Sequence, residues 1–170
     1  HDNLTQLPNR SFLLKEFPEL VQKADQHESS IAVLYLDGDD FKSVNDEFGH
    51  DIGDEFIRHF GIALQASVRT EDLVARIGGD EFVILINNVS KTPDERRLQI
   101  TSIIDRIQTW LKEGWKIKNT SFTPTSSIGI AFYPEHGATI DELLEKADVA
   151  LYEVKRLGKN QYLIFDEYQV

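Results

Sequence analysis

The feature that most constrains the fold is a pair of apolar runs joined by a short loop of glycines and acids. Residues 73–77 read LVARI, residues 82–86 read FVILI, and the loop between them is GGDE. Two runs rich in β-branched and aromatic residues, separated by a short glycine loop, are typical of a β-hairpin. The chain is therefore predicted to contain an antiparallel strand pair whose tip combines flexible backbone with two carboxylates.

The rest of the chain alternates between strand and helix patterns. The run IAVLYLD at 31–37 predicts a buried central strand that ends in an acid. Helices are predicted at 11–26, 40–49, 53–68, 93–112 and 139–157, and further strands at 115–118, 121–133 and 162–165. The last helix begins with a capping box, and the residues of the fourth helix expected to face the core are Leu98, Ile103, Ile104, Ile107 and Leu111. This order indicates an α/β (α+β) fold with helices packed on a mixed sheet.

The composition limits which partners and locations are expected. The net charge of −11 argues against a nucleic-acid polymer as partner, because a basic surface is needed to bind phosphates broadly. No apolar run approaches the ~20 residues of a membrane span, so we expect a cytoplasmic domain without membrane contact. The sequence begins at His1 without an initiator methionine. We therefore expect residues 1–170 to be one domain of a longer multidomain protein, which could itself be anchored in a membrane.

Three acids are expected to converge where neighbouring strands end: Asp37, Asp80 and Glu81. Carboxylates brought together repel one another unless a cation lies between them, and hard oxygen ligands favour Mg²⁺ or Mn²⁺ held together with substrate phosphates. Two such ions could activate a hydroxyl and stabilise a leaving pyrophosphate. The loop alone is equally compatible with a solvated acidic turn.

Polar residues near the second and last predicted helices suggest a nucleotide, although each has a simpler explanation. The Asn45 amide and the Asp54 carboxylate can together read a guanine edge, but Asp54 also suits an ordinary acid at a helix N-terminus. His50 by itself fits an ordinary loop residue. Lys155 and Lys159 suit the dipole of a helix C-terminus as well as a phosphate contact.

Five blocks in this chain, in this order, resemble the GGDEF family of diguanylate cyclases. They are DNLTQLPNR (2–10), LDGDDFKSVNDEFGHDIGD (36–54), RIGGDEF (76–82), TSSIGIAFYP (125–134) and LLEKADVALYEVKRLGKN (143–160), which span nearly the whole chain. The resemblance implies a palm-like nucleotidyl cyclase fold, with a central five-stranded mixed sheet flanked by helices and a small β-hairpin. It also implies that two GTP molecules become cyclic di-GMP and two pyrophosphates where two GGDEF domains meet as a homodimer.

The resemblance also implies a role for individual residues. The metal ligands would be Asp37, the carbonyl of Gly38, Asp80 and Glu81, which would hold two Mg²⁺ (or Mn²⁺) ions per active site. Asp80 and Glu81 would be catalytic, with Asp80 favoured as the general base. Guanine would be bound by Asn45, His50 and Asp54, and the phosphates by Lys42, Gly78, Gly79, Lys155 and Lys159. Family departures at Gln6, Gly38 and Lys159 remove no group that this chemistry requires.

Arg69 and Asp72, in the segment RTED, match the inhibitory site at which the family binds its product. An arginine can fork onto a guanine edge or a phosphate, and an aspartate can accept from guanine. The simpler explanation is an exposed pair at a helix end that forms a weak salt bridge.

The main alternative to an active cyclase is a GTP-binding regulatory module that controls an adjacent EAL phosphodiesterase domain. The tail YLIFDEYQV, residues 162–170, resembles the segment that leads into such a domain. The intact glycine and acid signature favours the enzyme, and it also disfavours a receptor that only binds product.

Overall fold

The fold is organised around one central strand, and the computed structural model describes residues 1–166. Its elements are α1 (Arg10–Gln26), β1 (Ser30–Gly38), α2 (Phe41–Phe48), α3 (His50–Ser67), β2 (Leu73–Gly78), β3 (Glu81–Val89), α4 (Pro93–Glu113), β4 (Trp115–Ile117), β5 (Thr120–Phe122), β6 (Ser126–Tyr133), α5 (Ile140–Arg156) and β7 (Tyr162–Ile164). The sheet order is β2-β3-β1-β6-β7, antiparallel except for the parallel pair of β6 and β7. The prediction of a five-stranded mixed sheet flanked by helices is confirmed.

Helices cover both faces of this sheet, which explains why β1 is apolar at every position from Ile31 to Leu36. Leu34 faces the core formed with α3 and α4, whereas its neighbour Val33 faces the core formed with α1 and α5. Successive side chains of a strand point to opposite faces, so a strand covered on both sides needs apolar residues at every position. The apolar run therefore stops only where β1 reaches the edge of both cores, at Asp37.

Local sequence signals set the starts of two helices. The Asn9 side chain accepts a hydrogen bond from the amide of Phe12 at 3.0 Å, and Thr139 Oγ1 accepts one from the amide of Glu142 at 3.2 Å. Each bond satisfies an amide that has no partner within its own helix. The predicted Thr139 cap of the last helix is thus confirmed, and the Glu142 carboxylate accepts from Thr139 Oγ1 at 3.3 Å. None of the helices in residues 1–166 is long and apolar enough to cross a membrane.

The strand predicted at 121–133 is wrong in its first part. Thr120–Phe122 forms β5, which pairs with β4 in a separate two-stranded hairpin, and β6 begins only at Ser126. Pro124 lies between the two strands and has no N–H group to continue a ladder. The result is the small β-hairpin implied by the family resemblance.

The prediction that Leu98 faces the core is also wrong. Leu98 is 71% exposed, and the buried residue of that helix turn is Arg96, whose guanidinium lies over Phe132 and pairs with Glu135. Arg96 lies one turn before the buried Ile100, whereas Leu98 lies about 200° away from Ile100 around the helix. An arginine can take a core position when its charge is paired and its plane stacks on an aromatic ring.

We expect Gly129→Ala to disturb the docking of α5 on the sheet. A Cβ at Gly129 would lie 2.0 Å from the carbonyl oxygen of Ala147 and 2.4 Å from the amide of Leu151. Because both are backbone atoms, the helix itself must shift, which should lower the free energy of unfolding by about 1–3 kcal/mol in urea denaturation. Gly78→Ala is the matched control, since no atom lies within 4 Å of its Cβ position. Equal effects of the two substitutions would contradict this description of the packing.

Candidate active site

The end of β1 brings together acids from three elements. Asp37 pairs in register with Glu81 of β3, and the amide of Gly38 donates to the carbonyl of Asp80 at 3.3 Å. Asp148 of α5 lies within electrostatic reach of Glu81. We call Asp37, Asp80, Glu81 and Asp148 the acidic cluster. The sequence analysis had anticipated three of its members, while Asp148 had given no signal beyond its place in the last family block.

Lys155 of α5 contacts the acidic cluster from the same face. Its ammonium donates to Oδ2 of Asp37, whereas Oδ1 of Asp37 is buried and has no hydrogen-bond partner. Within the described part of the chain, no three His, Asp or Glu side chains are gathered closely enough to hold a metal ion. A lysine ammonium thus neutralises part of the charge at the position where the sequence had predicted a divalent cation.

Burial and crowded negative charge shift the pKa values of this cluster. Burial, with the charges of Asp80 and Glu81, outweighs the bond from Lys155 and raises the pKa of Asp37 to about 6. Burial is also the main cause that raises the pKa values of Asp80 and Asp148. Burial alone would lower the pKa of Lys155, but its bond to Asp37 and the surrounding carboxylates raise it. The cluster therefore favours the binding of positive charge, whether as protons or as cations.

Three predicted phosphate ligands lie in the same cleft as the acids. The cleft has a volume of about 260 Å³ and opens between the end of β1, the start of α2 and the end of α5. Its lining includes Asp37, Gly38, Asp80, Lys42, Lys155 and Lys159. Carboxylates and ammoniums thus face one space, an arrangement that suits a polyphosphate accompanied by cations.

Asp39, to which the sequence analysis gave no role, anchors the lysine side of this cleft. Its buried carboxylate accepts hydrogen bonds from Thr125 Oγ1 and Ser127 Oγ, both at 2.6 Å, and from the amide of Asn160 at 3.1 Å. The bond to Asn160 fixes the loop after α5, where Lys159 adopts a left-handed φ of 67° and donates to Asp40 at 3.0 Å. The alternation of Asp37 and Asp39 at the end of a buried strand was the signal that could have identified it.

The predicted guanine ligands Asn45 and Asp54 lie on α2 and α3, two helices that pack against each other. A Cβ on Gly53 would lie 1.7 Å from Oδ1 of Asn45, so only glycine lets the Asn45 amide lie against α3 at this point. Asp54 is exposed and lines a second cleft with Lys116 and Lys118. The third predicted ligand, His50, is the exposed first residue of α3.

The glycine tip of the hairpin is held by an arginine that the sequence analysis missed. Arg76 donates to the carbonyl of Gly79 from Nη2 at 2.8 Å and from Nε at 3.0 Å, and its Nη1 donates to Asp2 at 2.9 Å. Gly79 has a φ of +47°, a region that glycine enters without the steric cost of a Cβ. Gly78 and Gly79 are exposed, with no atom within 4 Å of either Cβ position, so the tip leaves open space for a ligand.

Arg69 and Asp72 form a tight pair at the opposite end of the β2–β3 hairpin. Arg69 donates through Nε and Nη2 to the two oxygens of Asp72 at 2.9 and 3.1 Å, and the amides of Arg69 and Asn87 donate to the same carboxylate. The Asp72 side chain is 0% exposed, whereas that of Arg69 is 31% exposed. The pair is therefore not a weak exposed salt bridge. Asp72 holds the guanidinium in place, and Arg69 is the member that a ligand could reach.

Comparison with known proteins agrees with this geometry. The family model for the diguanylate cyclase GGDEF domain matches residues 1–161. MucR of Pseudomonas aeruginosa, a bifunctional diguanylate cyclase/cyclic di-GMP phosphodiesterase, is 39% identical over 166 residues, which cover 98% of this chain and 23% of MucR. The diguanylate cyclase TpbB of the same species is 39% identical over 160 residues, which cover 94% of this chain and 36% of TpbB. The chain thus spans only about a quarter to a third of the length of these relatives.

Solved structures show the same fold. The GGDEF domain of TpbB superimposes with a TM-score of 0.88 at 35% identity, covering 98% of this chain and 94% of that domain. The GGDEF domain of DgcB from Caulobacter crescentus, in complex with c-di-GMP, superimposes with a TM-score of 0.84 at 26% identity, covering 98% and 93%. The similarity therefore includes all the elements that form the cleft.

We expect Asp37→Asn to change how stability depends on pH. Because the pKa of Asp37 is raised from 3.8 to about 6 in the fold, its ionisation destabilises the metal-free protein as the pH rises from about 4 through about 6. The variant lacks this ionisation. Between pH 4 and pH 7, the unfolding free energy of Asp37→Asn should therefore rise relative to that of the parent by about 1–2 kcal/mol, after reduction for solvent screening. Urea denaturation in the presence of a metal chelator measures this difference, and the exposed Asp105→Asn is the control. Parallel profiles of Asp37→Asn and the parent would contradict the assignment.

Proposed function

The chain belongs to the GGDEF family of diguanylate cyclase domains, and on this premise we propose that it condenses two GTP molecules into cyclic di-GMP and two pyrophosphates. The observation that carries the proposal is the cleft in which Asp37 and Asp80 of the acidic cluster lie beside Lys42, Lys155 and Lys159. Clustered carboxylates favour the binding of divalent cations, and the positive ammonium groups complement the negative charge of a triphosphate. The activity of TpbB and the c-di-GMP bound to DgcB support the same reaction class.

Four groups would hold the divalent cations, Mg²⁺ or Mn²⁺, with two ions per active site: Asp37, Asp80, Glu81 and the carbonyl of Gly38. These groups fit a hard cation, because carboxylate and carbonyl oxygens are its preferred ligands and Oδ1 of Asp37 is buried without a partner. When bound, such ions neutralise the triphosphate and activate the attacking hydroxyl. Lys42, Lys155 and Lys159 donate to phosphate oxygens in the same cleft, and Gly78 and Gly79 leave room for the triphosphate.

Asp80 is the group that accepts the proton of the attacking 3′-hydroxyl. Burial raises the pKa of its carboxyl, which makes it a stronger base than an exposed aspartate once it is ionised. The hydroxyl oxygen forms a bond to the α-phosphorus of the second GTP, and the bond from that phosphorus to the bridging oxygen breaks to release pyrophosphate. Glu81 assists at the cations.

Asn45 and Asp54 select guanine. The carboxylate accepts from N1–H and from the exocyclic amine, and the amide supplies a further donor or acceptor. The Asn45 amide lies against Gly53, the residue before Asp54, and this packing fixes the amide relative to α3 before the base arrives. His50, at the start of α3, lies near the same nucleotide.

Each domain holds one GTP, so two copies must meet with antiparallel active sites. The 3′-hydroxyl held by one copy attacks the α-phosphate held by the other, and a single copy binds GTP without completing the ring.

Cyclic di-GMP then inhibits by binding at Arg69, whose guanidinium is partly exposed and already oriented by Asp72. That contact holds the two domains apart.

A second candidate function is a regulatory GTP-binding module that controls an adjacent EAL phosphodiesterase domain. MucR, a bifunctional relative of greater length, supports such a context. The tail 162–170 has the matching pattern, although residues 167–170 lie outside the described part of the chain. The intact acidic cluster favours the cyclase, because GTP sensing alone does not require a base at Asp80.

We expect the purified protein to convert GTP into cyclic di-GMP and pyrophosphate with Mg²⁺, and Asp80→Ala to lower the rate by about 10²–10⁴-fold through loss of the base. Product formation followed by chromatography measures this, and exposed Asp105→Asn should retain parental turnover. The rate per domain should also rise with protein concentration, because two copies form the site. GTP binding without turnover in the parent would favour the regulatory module.

We expect Arg69→Ala to relieve inhibition by added product. Loss of the forked guanidinium should raise the product concentration at half-inhibition by about tenfold or more, because charge-assisted hydrogen bonds to the ligand are lost. Arg10→Ala is the matched control, since Arg10 also pairs with an aspartate but is exposed at 52%. Superimposable inhibition curves for Arg69→Ala and the parent would show that the pair does not bind product.

A further inference from the structure

We propose that Tyr35 is a positioning residue that orients Glu81 within the acidic cluster and thereby sets the affinity of the cluster for divalent cations. The proposal starts from the short hydrogen bond between the Tyr35 hydroxyl and the Glu81 carboxylate. It rests on the proposed function, in which Glu81 is a cation ligand. It assigns a role to a tyrosine that lies two residues before Asp37 on β1.

The register of β1 and β3 places these two side chains on one face of the sheet. Asp37 pairs with Glu81, and Tyr35 pairs with Val83, so that Tyr35 is the diagonal neighbour of Glu81. The Tyr35 hydroxyl donates to Oε2 of Glu81 at 2.5 Å, a distance typical of a charge-assisted O–H···O⁻ bond, about 2.5–2.7 Å. A diagonal neighbour reaches across only when its side chain is long and aromatic, as tyrosine is.

Like charges surround Glu81, which makes a neutral donor important. Asp37, Asp80 and Asp148 all lie within electrostatic reach of its carboxylate. In residues 1–166, the Tyr35 hydroxyl is the side-chain group that donates a hydrogen bond to Glu81. Without this bond, repulsion and rotamer freedom would favour conformations of Glu81 that turn away from the other acids.

The bond uses one carboxylate oxygen and leaves the other for a cation. Oε2 of Glu81 is held by Tyr35, and Tyr35 is itself half-buried between the sheet and α5. A ligand that is already ordered loses less entropy when a cation binds, so preorganisation by Tyr35 strengthens binding without adding a ligand. Tyr35→Phe keeps the ring and its packing and removes only the hydroxyl.

The test is a titration of the metal-free protein with Mn²⁺, in which electron paramagnetic resonance reports the free ion. We expect Tyr35→Phe to raise the dissociation constant about tenfold. Glu81→Gln should also weaken binding, and the double variant should bind no more weakly than Glu81→Gln alone, because Tyr35 acts through Glu81. Activity is a separate readout: in Tyr35→Phe the Mn²⁺ concentration at half-maximal turnover should rise.

Tyr133→Phe is the matched control. Its hydroxyl donates to Asp25 at 2.8 Å, so the control removes the same kind of bond from the other end of the sheet. We expect parental Mn²⁺ affinity in this variant, even where thermal denaturation shows lower stability. A tenfold loss in both tyrosine variants would attribute the effect to general destabilisation and would overturn the proposal.

The remaining outcomes separate this inference from the proposed function. Saturable Mn²⁺ binding by the parent with equal or tighter binding by Tyr35→Phe would overturn the positioning role alone. Additive losses in the double variant would also overturn it, because Tyr35 would then act independently of Glu81. Absence of saturable binding by the parent would overturn the cation assignment together with this inference.

Discussion

The constraint on which the rest of the structure depends is negative charge at the end of a buried strand. β1 is the middle strand of the sheet and is covered on both faces, so Asp37 near its end and Asp39 directly after it are carried out of water. Asp39 is satisfied by hydroxyls and an amide from β6 and the loop after α5. Asp37 is satisfied only in part, by Lys155, and in the proposal the charge that is left uncompensated gives the cleft its affinity for cations.

Residues outside the proposed ligand set support this region. Asp39 fixes the loop that carries Lys159, Arg76 fixes the carbonyl of Gly79 at the hairpin tip, and Tyr35 donates to Glu81. The bonds of Asp39 and Tyr35 join distant parts of the chain, whereas that of Arg76 spans three positions, and Glu81 is the group that neighbouring like charges would otherwise push towards solvent. A site made of mutually repelling carboxylates needs such supports before a cation arrives.

The two ends of the β2–β3 hairpin have separate roles in the proposal. The tip with Asp80 belongs to the cleft, whereas Arg69 and Asp72 lie beside Asn87 at the other end. At ~3.3 Å per residue, the paired strands separate these ends by roughly 20 Å, too far for one bound nucleotide to contact both. In the proposal, inhibition at Arg69 therefore acts on the position of the whole domain and not on the cleft directly.

Local patterns in the chain were enough to predict the features that depend on neighbouring residues: the hairpin, the buried strand that ends in Asp37, the N-cap at Thr139, and the oxygen-rich chemistry around the glycine loop. The break between β5 and β6 and the exposure of Leu98 could not be predicted from local patterns, because strand pairing and helix docking override a local apolar pattern. Folding alone brings Lys155 to Asp37 across 118 positions and Tyr35 to Glu81 across 46. Those contacts follow from the order and register of the strands, and no local pattern in the chain encodes which distant side chains a sheet will place side by side.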